Sequence, residues 1–214
     1  MTALQSPLRT RLAWVAAIAF SSGFPFGFFN ELVPVYLRSR GTSLELIGLA
    51  SWASLPWALK FLWAPLVARL GSRRAWIIGC QIGLAAVLAG LVVASPGGTP
   101  FFGLLFALVA LSATQDIAVD AATIEITRKE ELGPANGIRV TAYRVAMIAA
   151  GGVMVGLSGR LGWHPLFLGA AVFFLLLAVI NLRLPAAAKA AGARTPILEP
   201  VRDLLSSPGI VGVL

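Results

Sequence analysis

Charge is what this sequence has least of. Asp, Glu, Lys and Arg together make up 12% of its 214 residues, against about 25% in soluble domains. So few charges cannot cover the surface of a water-soluble fold of this size, which excludes an ordinary globular domain. Cysteine is almost missing too. Cys80 stands alone inside an apolar run, so there is no intramolecular disulfide, and its expected role is that of a small buried hydrophobe. His164 is the single histidine. Zinc needs three or four protein ligands, so no metal site is expected. No Ser-His-acid set and no Gly-rich phosphate loop appears, and the chain reads as neither an enzyme nor a cofactor-binding protein.

What the sequence does have is long apolar runs. Hydrophobic residues make up 58% of it, and the mean hydropathy is +0.86. A membrane span needs about 20 mostly apolar residues, and six such runs occur, at residues 12–37, 44–67, 75–94, 100–126, 134–158 and 163–184. The first is too long for a cleavable signal peptide and reads as a true span. Gly, Pro and charge separate the runs, as at Arg38-Ser39-Arg40-Gly41, Gly71-Ser72-Arg73-Arg74, Ser95-Pro96-Gly97-Gly98 and the segment from Arg128 to Pro134. The fold class expected is an all-α membrane protein with a six-helix bundle over 12–184. A cytoplasmic N-terminus at 1–11 and a linker at 185–203 flank it. An apolar stretch at 204–214 reads as the start of a truncated seventh span.

The net charge is +8, and its distribution speaks of lipid, not nucleic acid. One side of the spans carries Arg9, Arg11, Arg69, Arg73, Arg74, Arg128, Lys129, Arg183, Lys189, Arg194 and Arg202, and the other carries Arg38, Arg40 and Arg160. By the positive-inside rule both termini are expected in the cytoplasm, with the lipid bilayer as the chain's partner.

Lys60, Arg139 and Arg144 fall inside spans, as do the acids Glu31, Asp116 and Asp120. A charge at the bilayer centre costs roughly 2.5–3.5 kcal/mol on insertion scales. Such groups face a cavity or a partner, either as functional sites or as ion pairs that hold helices together. Asp116 and Asp120 are four apart and share one helix face. They lie about 23 and about 28 Å along the fourth span from Phe101. Two acids side by side repel, which suits proton pick-up. They are also placed to pair with Arg139 or Arg144 on the fifth span, and a salt bridge that breaks on protonation would serve as a coupling device. Arg144 lies about 14 Å into the fifth span and is the strongest single candidate, its planar fork suited to a carboxylate. Tyr143 precedes it, but neighbours in a helix point apart. Arg139 is expected at a gate or an interhelical pair. Lys60 either serves the pathway or snorkels to the surface. Glu31 is read as a proton site, substrate contact or gate, and Glu125 as solvated at the interface. Gly23, Pro25, Gly27 and Pro34 in the first span, and Pro56 and Pro65 in the second, predict kinks of the kind that line cavities. Gly79 with Gly83, and Gly152 with Gly156, predict close helix packing.

These motifs carry a resemblance. Residues 69–74 read RLGSRR, similar to the signature loop of the major facilitator superfamily. Residues 55–66 read LPWALKFLWAPL and residues 112–121 read SATQDIAVDA; both resemble stretches of the AmpG-type muropeptide permeases. Ser22-Gly23-Phe24-Pro25 and Tyr143-Arg144 also match that family. The acetyl-CoA transporter family shares the Gln-Asp-Ile-Ala-Val-Asp run and is a close relative. The resemblance implies a twelve-helix fold of two halves with alternating access, of which this chain is the N-terminal half. It implies proton-coupled import of muropeptide-like organic solutes across the inner membrane, as part of peptidoglycan recycling. Carried over by position, Lys60, Gln115, Asp116, Asp120 and Arg144 form the substrate and proton pathway, with Glu31 beside them. Arg69, Arg73, Arg74 and Arg139 serve gating.

The chain departs from the family at Ala68, where the signature loop has an acid, and in having no second half. Transport would then need a C-terminal six-helix half or a second copy as partner, besides the small-molecule substrate and protons. Two other readings stand beside this one: another solute carrier on the same fold, and a membrane protein that transports nothing and uses its buried charges only to join helices.

Overall fold

The computed structural model of the chain describes residues 6–184. The expected linker at 185–203 and seventh-span start at 204–214 lie outside the described residues. Five helices are long and apolar enough to cross a membrane, and no strand occurs among the described residues. They are α1 (Leu8–Ser39), α3 (Arg73–Val93), α4 (Thr99–Ile126), α5 (Lys129–Leu161) and α6 (Trp163–Asn181). Gly71 and Gly162 make two of the turns between them with φ of 70° and 78°, which favour a residue without a Cβ. Ser72 caps α3 by accepting from the Ala75 amide at 3.1 Å.

The expected second span is not one helix. Between α1 and α3 the chain forms three short helices, Leu44–Ala50, Leu55–Leu59 and Ala64–Arg69, joined by 3-10 turns at Ser51–Ser54 and Lys60–Leu62. We call this broken segment α2. Pro56 and Pro65 each sit in the first turn of a new piece, where their missing N–H costs nothing. The segment still runs the length of the bundle. Gly97, between α3 and α4, lies against Leu46 at one end, and Val67 reaches Arg73 at the other. The indole of Trp63 anchors the break to α4 by donating to Thr114 Oγ1 at 3.1 Å.

α1 runs on through Pro25. The helix continues and takes up the disturbance as a π-helical turn at Phe28–Leu32. A second π turn, at Ala149–Val153 in α5, packs against it. The two helices run side by side in fixed register, Arg11 with Glu131 and Glu31 over Gly151. Between those points Gly23 lies on the Tyr143 backbone and Gly27 on that of Met147. The close packing expected of small residues therefore occurs at Gly23, Gly27 and Gly151, and at Gly83 against Leu111. Gly79 and Gly156 face open space, and Gly152 meets only Ile148 of its own helix. Spacing puts glycines on one face but says nothing of what that face meets.

α1 is held to α6 by Phe24 stacked edge-on against Phe174 and by Phe28 against Phe167. Tyr36 meets Phe101, Trp163 and Phe167, closing the end opposite the charged one. Phe167 is 1% exposed. Phe167→Ala leaves a void that lipid cannot enter, and about 3–5 kcal/mol of stability is expected to go with it. Thermal melting in detergent micelles reads this as a lowered midpoint.

Candidate functional site

Four helices bring their polar residues to one cavity of about 160 Å³. α1 supplies Ala19 and Ser22, α2 supplies Lys60, α4 supplies Asp116, Val119 and Asp120, and α5 supplies Arg139 and Tyr143. Helical spacing explains the set. Asp116, Val119 and Asp120 are three and four apart, as are Ala19 with Ser22 and Arg139 with Tyr143, so each helix turns one face inward.

Each acid has its own base. Lys60 Nζ lies 3.9 Å from Asp116 Oδ2, and Arg139 Nη2 lies 2.7 Å from Asp120 Oδ1. The Ser22 hydroxyl donates to the other Asp116 oxygen. With all four groups ionised the lining is electrically neutral, which is how charge is tolerated at this depth. The pairs differ in exposure. Asp116 is 12% exposed, whereas Lys60 and Arg139 are each 37% exposed and Asp120 46%. The Lys60–Asp116 contact is longer than a hydrogen bond, so this pair is the looser of the two.

Behind the cavity, Gln115 Nε2 donates to Ser21 Oγ at 3.0 Å, and Ser21 donates in turn to the Ile18 carbonyl at 2.7 Å. Gln115 is fully buried, and its Oε1 has no hydrogen-bond partner among the described residues. It supports the wall and is not part of the cavity lining. Outward from Tyr143 an aromatic row continues through Phe26 to Trp57 and Phe29, with ring centroids 6.0, 4.9 and 5.5 Å apart.

The structure places the other expected site residues elsewhere. Arg144 does not pair with the acids. It is exposed on α5, because five residues along from Arg139 turn it about 140° round the helix, away from the cavity. Tyr143, set apart from Arg144 on the same reasoning, is the one that lines it. Glu31 is exposed in the π turn of α1, toward the far end. Lys60 turns its ammonium toward Asp116, 3.9 Å away. Arg69 is exposed at the end of α2.

Arg73 holds α2 to α3 and α4. It donates to the Val67 carbonyl at 2.8 Å and the Ala68 carbonyl at 3.1 Å, and it pairs with Glu125 Oε1 at 3.2 Å. Glu125 is therefore paired and not simply solvated. Where the signature loop has an acid side chain, Ala68 offers Arg73 its backbone oxygen. Arg74 reaches the Leu184 carbonyl at 3.5 Å. At the same end Arg11 pairs with Glu131, joining α1 to α5. Sequence reasoning missed Ser22 and Tyr143 as site residues. The four-residue step from Arg139 to Tyr143 was a signal for the second. Nothing short of the fold pairs Ser22 with a residue 94 positions away.

A match to the Major Facilitator Superfamily covers residues 15–214. The chain is 37% identical over 182 residues to an uncharacterised protein of Haemophilus influenzae, covering 80% of this chain and 42% of that protein. It is 30% identical over 165 residues to the anhydromuropeptide permease of Escherichia coli K12, covering 73% and 34% of the two chains. It is also 30% identical over 178 residues to the putative transporter AmpG 4 of Rickettsia conorii, covering 78% and 43%. The chain thus spans less than half the length of these relatives. Its apolar helices, its paired charges between helices and a family match over most of its length agree: the chain is a multi-pass membrane protein that belongs to the major facilitator superfamily and is similar to the AmpG-type permeases within it.

Proposed function

We propose that this chain is the N-terminal half of a proton-coupled secondary transporter that imports muropeptide-like organic solutes across the inner membrane, with both termini in the cytoplasm. On this reading it is a carrier and not an enzyme. The observation that carries the reading is the neutral cavity in which Lys60–Asp116 and Arg139–Asp120 are drawn from three different helices. A structural ion pair needs one base and one acid in tight contact. Here the Lys60 pair is loose and half open beside empty space, which leaves room for a second anion. A proton on Asp116 cancels its charge and releases Lys60 to bind an anionic group of the cargo. Release of the proton from Asp116 to water on the far side restores the carboxylate, re-forms the pair with Lys60 and expels the cargo. The similarity to the Escherichia coli anhydromuropeptide permease supports the cargo class. The rest of the passage would come from a C-terminal six-helix half or a second copy, set against the exposed face of α5 that carries Arg144.

The test is uptake of labelled anhydromuropeptide by cells carrying the full-length protein. A protonophore is expected to reduce uptake at least about tenfold, to the level of cells without the protein. Uptake that persists after the proton gradient is collapsed overturns the coupling. Uptake of labelled acetyl-CoA by the same cells, with none of labelled anhydromuropeptide, assigns the cargo to the related family instead.

A further inference from the structure

Asp116 meets a different partner on each carboxylate oxygen, and only one of them is charged. Lys60 stands off Oδ2 at 3.9 Å, while the hydroxyl of Ser22 donates directly to Oδ1. Ser22 is 4% exposed, so water does not readily replace its hydroxyl. The neighbouring serine is committed elsewhere, since Ser21 accepts from Gln115 and donates to Ile18. Two adjacent serines of α1 therefore grip two adjacent residues of α4. The Ser21–Gln115 rung joins neutral groups and is indifferent to pH. The Ser22–Asp116 rung is strongest when Asp116 is ionised and weakens when it is protonated.

The groups facing Asp116 from the surrounding helices are few. They are Lys60 from α2, Asp120 along α4, Arg139 and Tyr143 from α5 and Cys80 from α3. Arg139 is engaged with Asp120 at 2.7 Å. Among the described residues this leaves Ser22 as the one close hydrogen-bond donor to the carboxylate.

We propose that Ser22 is a positioning residue for Asp116, whose hydroxyl favours the ionised carboxylate and so sets the pH range in which Asp116 takes up a proton. A donor to the charged form favours that form. Removing it makes the carboxylate easier to protonate, and Asp116 then holds its proton to higher pH. The effect expected of one hydrogen bond to a charged group is about one pH unit. The inference rests on the proton-responsive part of the reading above and not on the identity of the cargo.

The experiment reads Asp116 directly, without transport. A hydrophobic carbodiimide adds across its C=N bond to a protonated carboxylic acid, and the adduct at Asp116 is measured by peptide mass spectrometry over a range of pH. In purified Ser22→Ala the half-labelling pH is expected to rise by about one unit over the parent, while Ser22→Thr, which keeps the hydroxyl, follows the parent. Should Ser22→Ala not fold, Ser22→Cys carries the same test with a smaller alkaline shift, because a thiol is a weaker donor. Coincident curves for the parent and the variant, in proteins that melt alike, overturn the proposal. A shifted curve in a protein that takes up no muropeptide leaves Ser22 in its role and removes the muropeptide cargo instead.

Discussion

Gly23→Ala is expected to be, with Gly27→Ala, among the most damaging single-methyl changes in the described residues. A Cβ on Gly23 would lie 2.3 Å from the Tyr143 carbonyl oxygen and 2.9 Å from its Cα and carbonyl carbon. All three atoms are backbone, so no rotamer change relieves the clash, and α1 and α5 must separate. Overpacking of this kind costs about 1–3 kcal/mol or more. The cost to the site is larger than the cost to the fold, because α5 carries Arg139 and Tyr143 into the cavity. A control isolates the cause. Gly79→Ala puts the same methyl into open space and is expected to hold or raise stability, since alanine is the better helix former by about 1 kcal/mol. Melting curves of the two purified variants make the comparison. The expected result is a lowered midpoint for Gly23→Ala alone. Equal midpoints for Gly23→Ala and the parent would mean that the α1–α5 contact is looser than described.

The second large effect concerns the charges. Lys60→Ala leaves Asp116 in a largely enclosed position without its base. The expected outcome is a lowered melting point and a fall in uptake of roughly tenfold or more, a barrier increase of about 1.4 kcal/mol or above. Lys60→Ala combined with Asp116→Asn removes both charges together. The double variant is expected to recover stability, because no unpaired charge remains buried, but not uptake. A purely structural ion pair behaves differently, since restoring stability then restores whatever activity the protein has. Arg144→Ala makes a useful contrast. Its side chain is exposed and lies away from the cavity, so the melting point is expected to stay at the parent value. Any loss of uptake in that variant would report on the face that a second half covers.

Much of this was legible in the sequence, and the parts that were not share one cause. Five of the six apolar runs fall on long helices, the run at 44–67 being the exception, and Gly41, Gly71 and Gly97 marked turns they now occupy with positive φ. The four-residue step from Asp116 to Asp120 correctly put both acids on one face. The break in α2 was announced by Pro56 and Pro65, although its division into three pieces was not. What the sequence could not supply was the rotation of each helix about its own axis. A helix surrounded by lipid and by other apolar helices has no clean polar side to reveal which face points inward. Arg139 and Arg144 are both basic residues in an apolar span, and choosing between them as the partner of Asp120 needs that rotation. Gly23 and Gly27 have the same spacing as Gly79 and Gly83, and only the packed structure shows which pair meets another backbone. Ser22 stood out in the sequence only as the first residue of the Ser22-Gly23-Phe24-Pro25 match. Its pairing with Asp116 depends on how α1 crosses α4.

The central claim is that the cavity around Asp116 is where proton and cargo meet. The most direct test is uptake over a range of pH by the full-length protein carrying Asp116→Asn, with membrane insertion and melting verified first. The account predicts a folded protein whose uptake is lost at every pH, because the substituted side chain no longer exchanges a proton. Uptake at the parent rate with the parent pH dependence would contradict it.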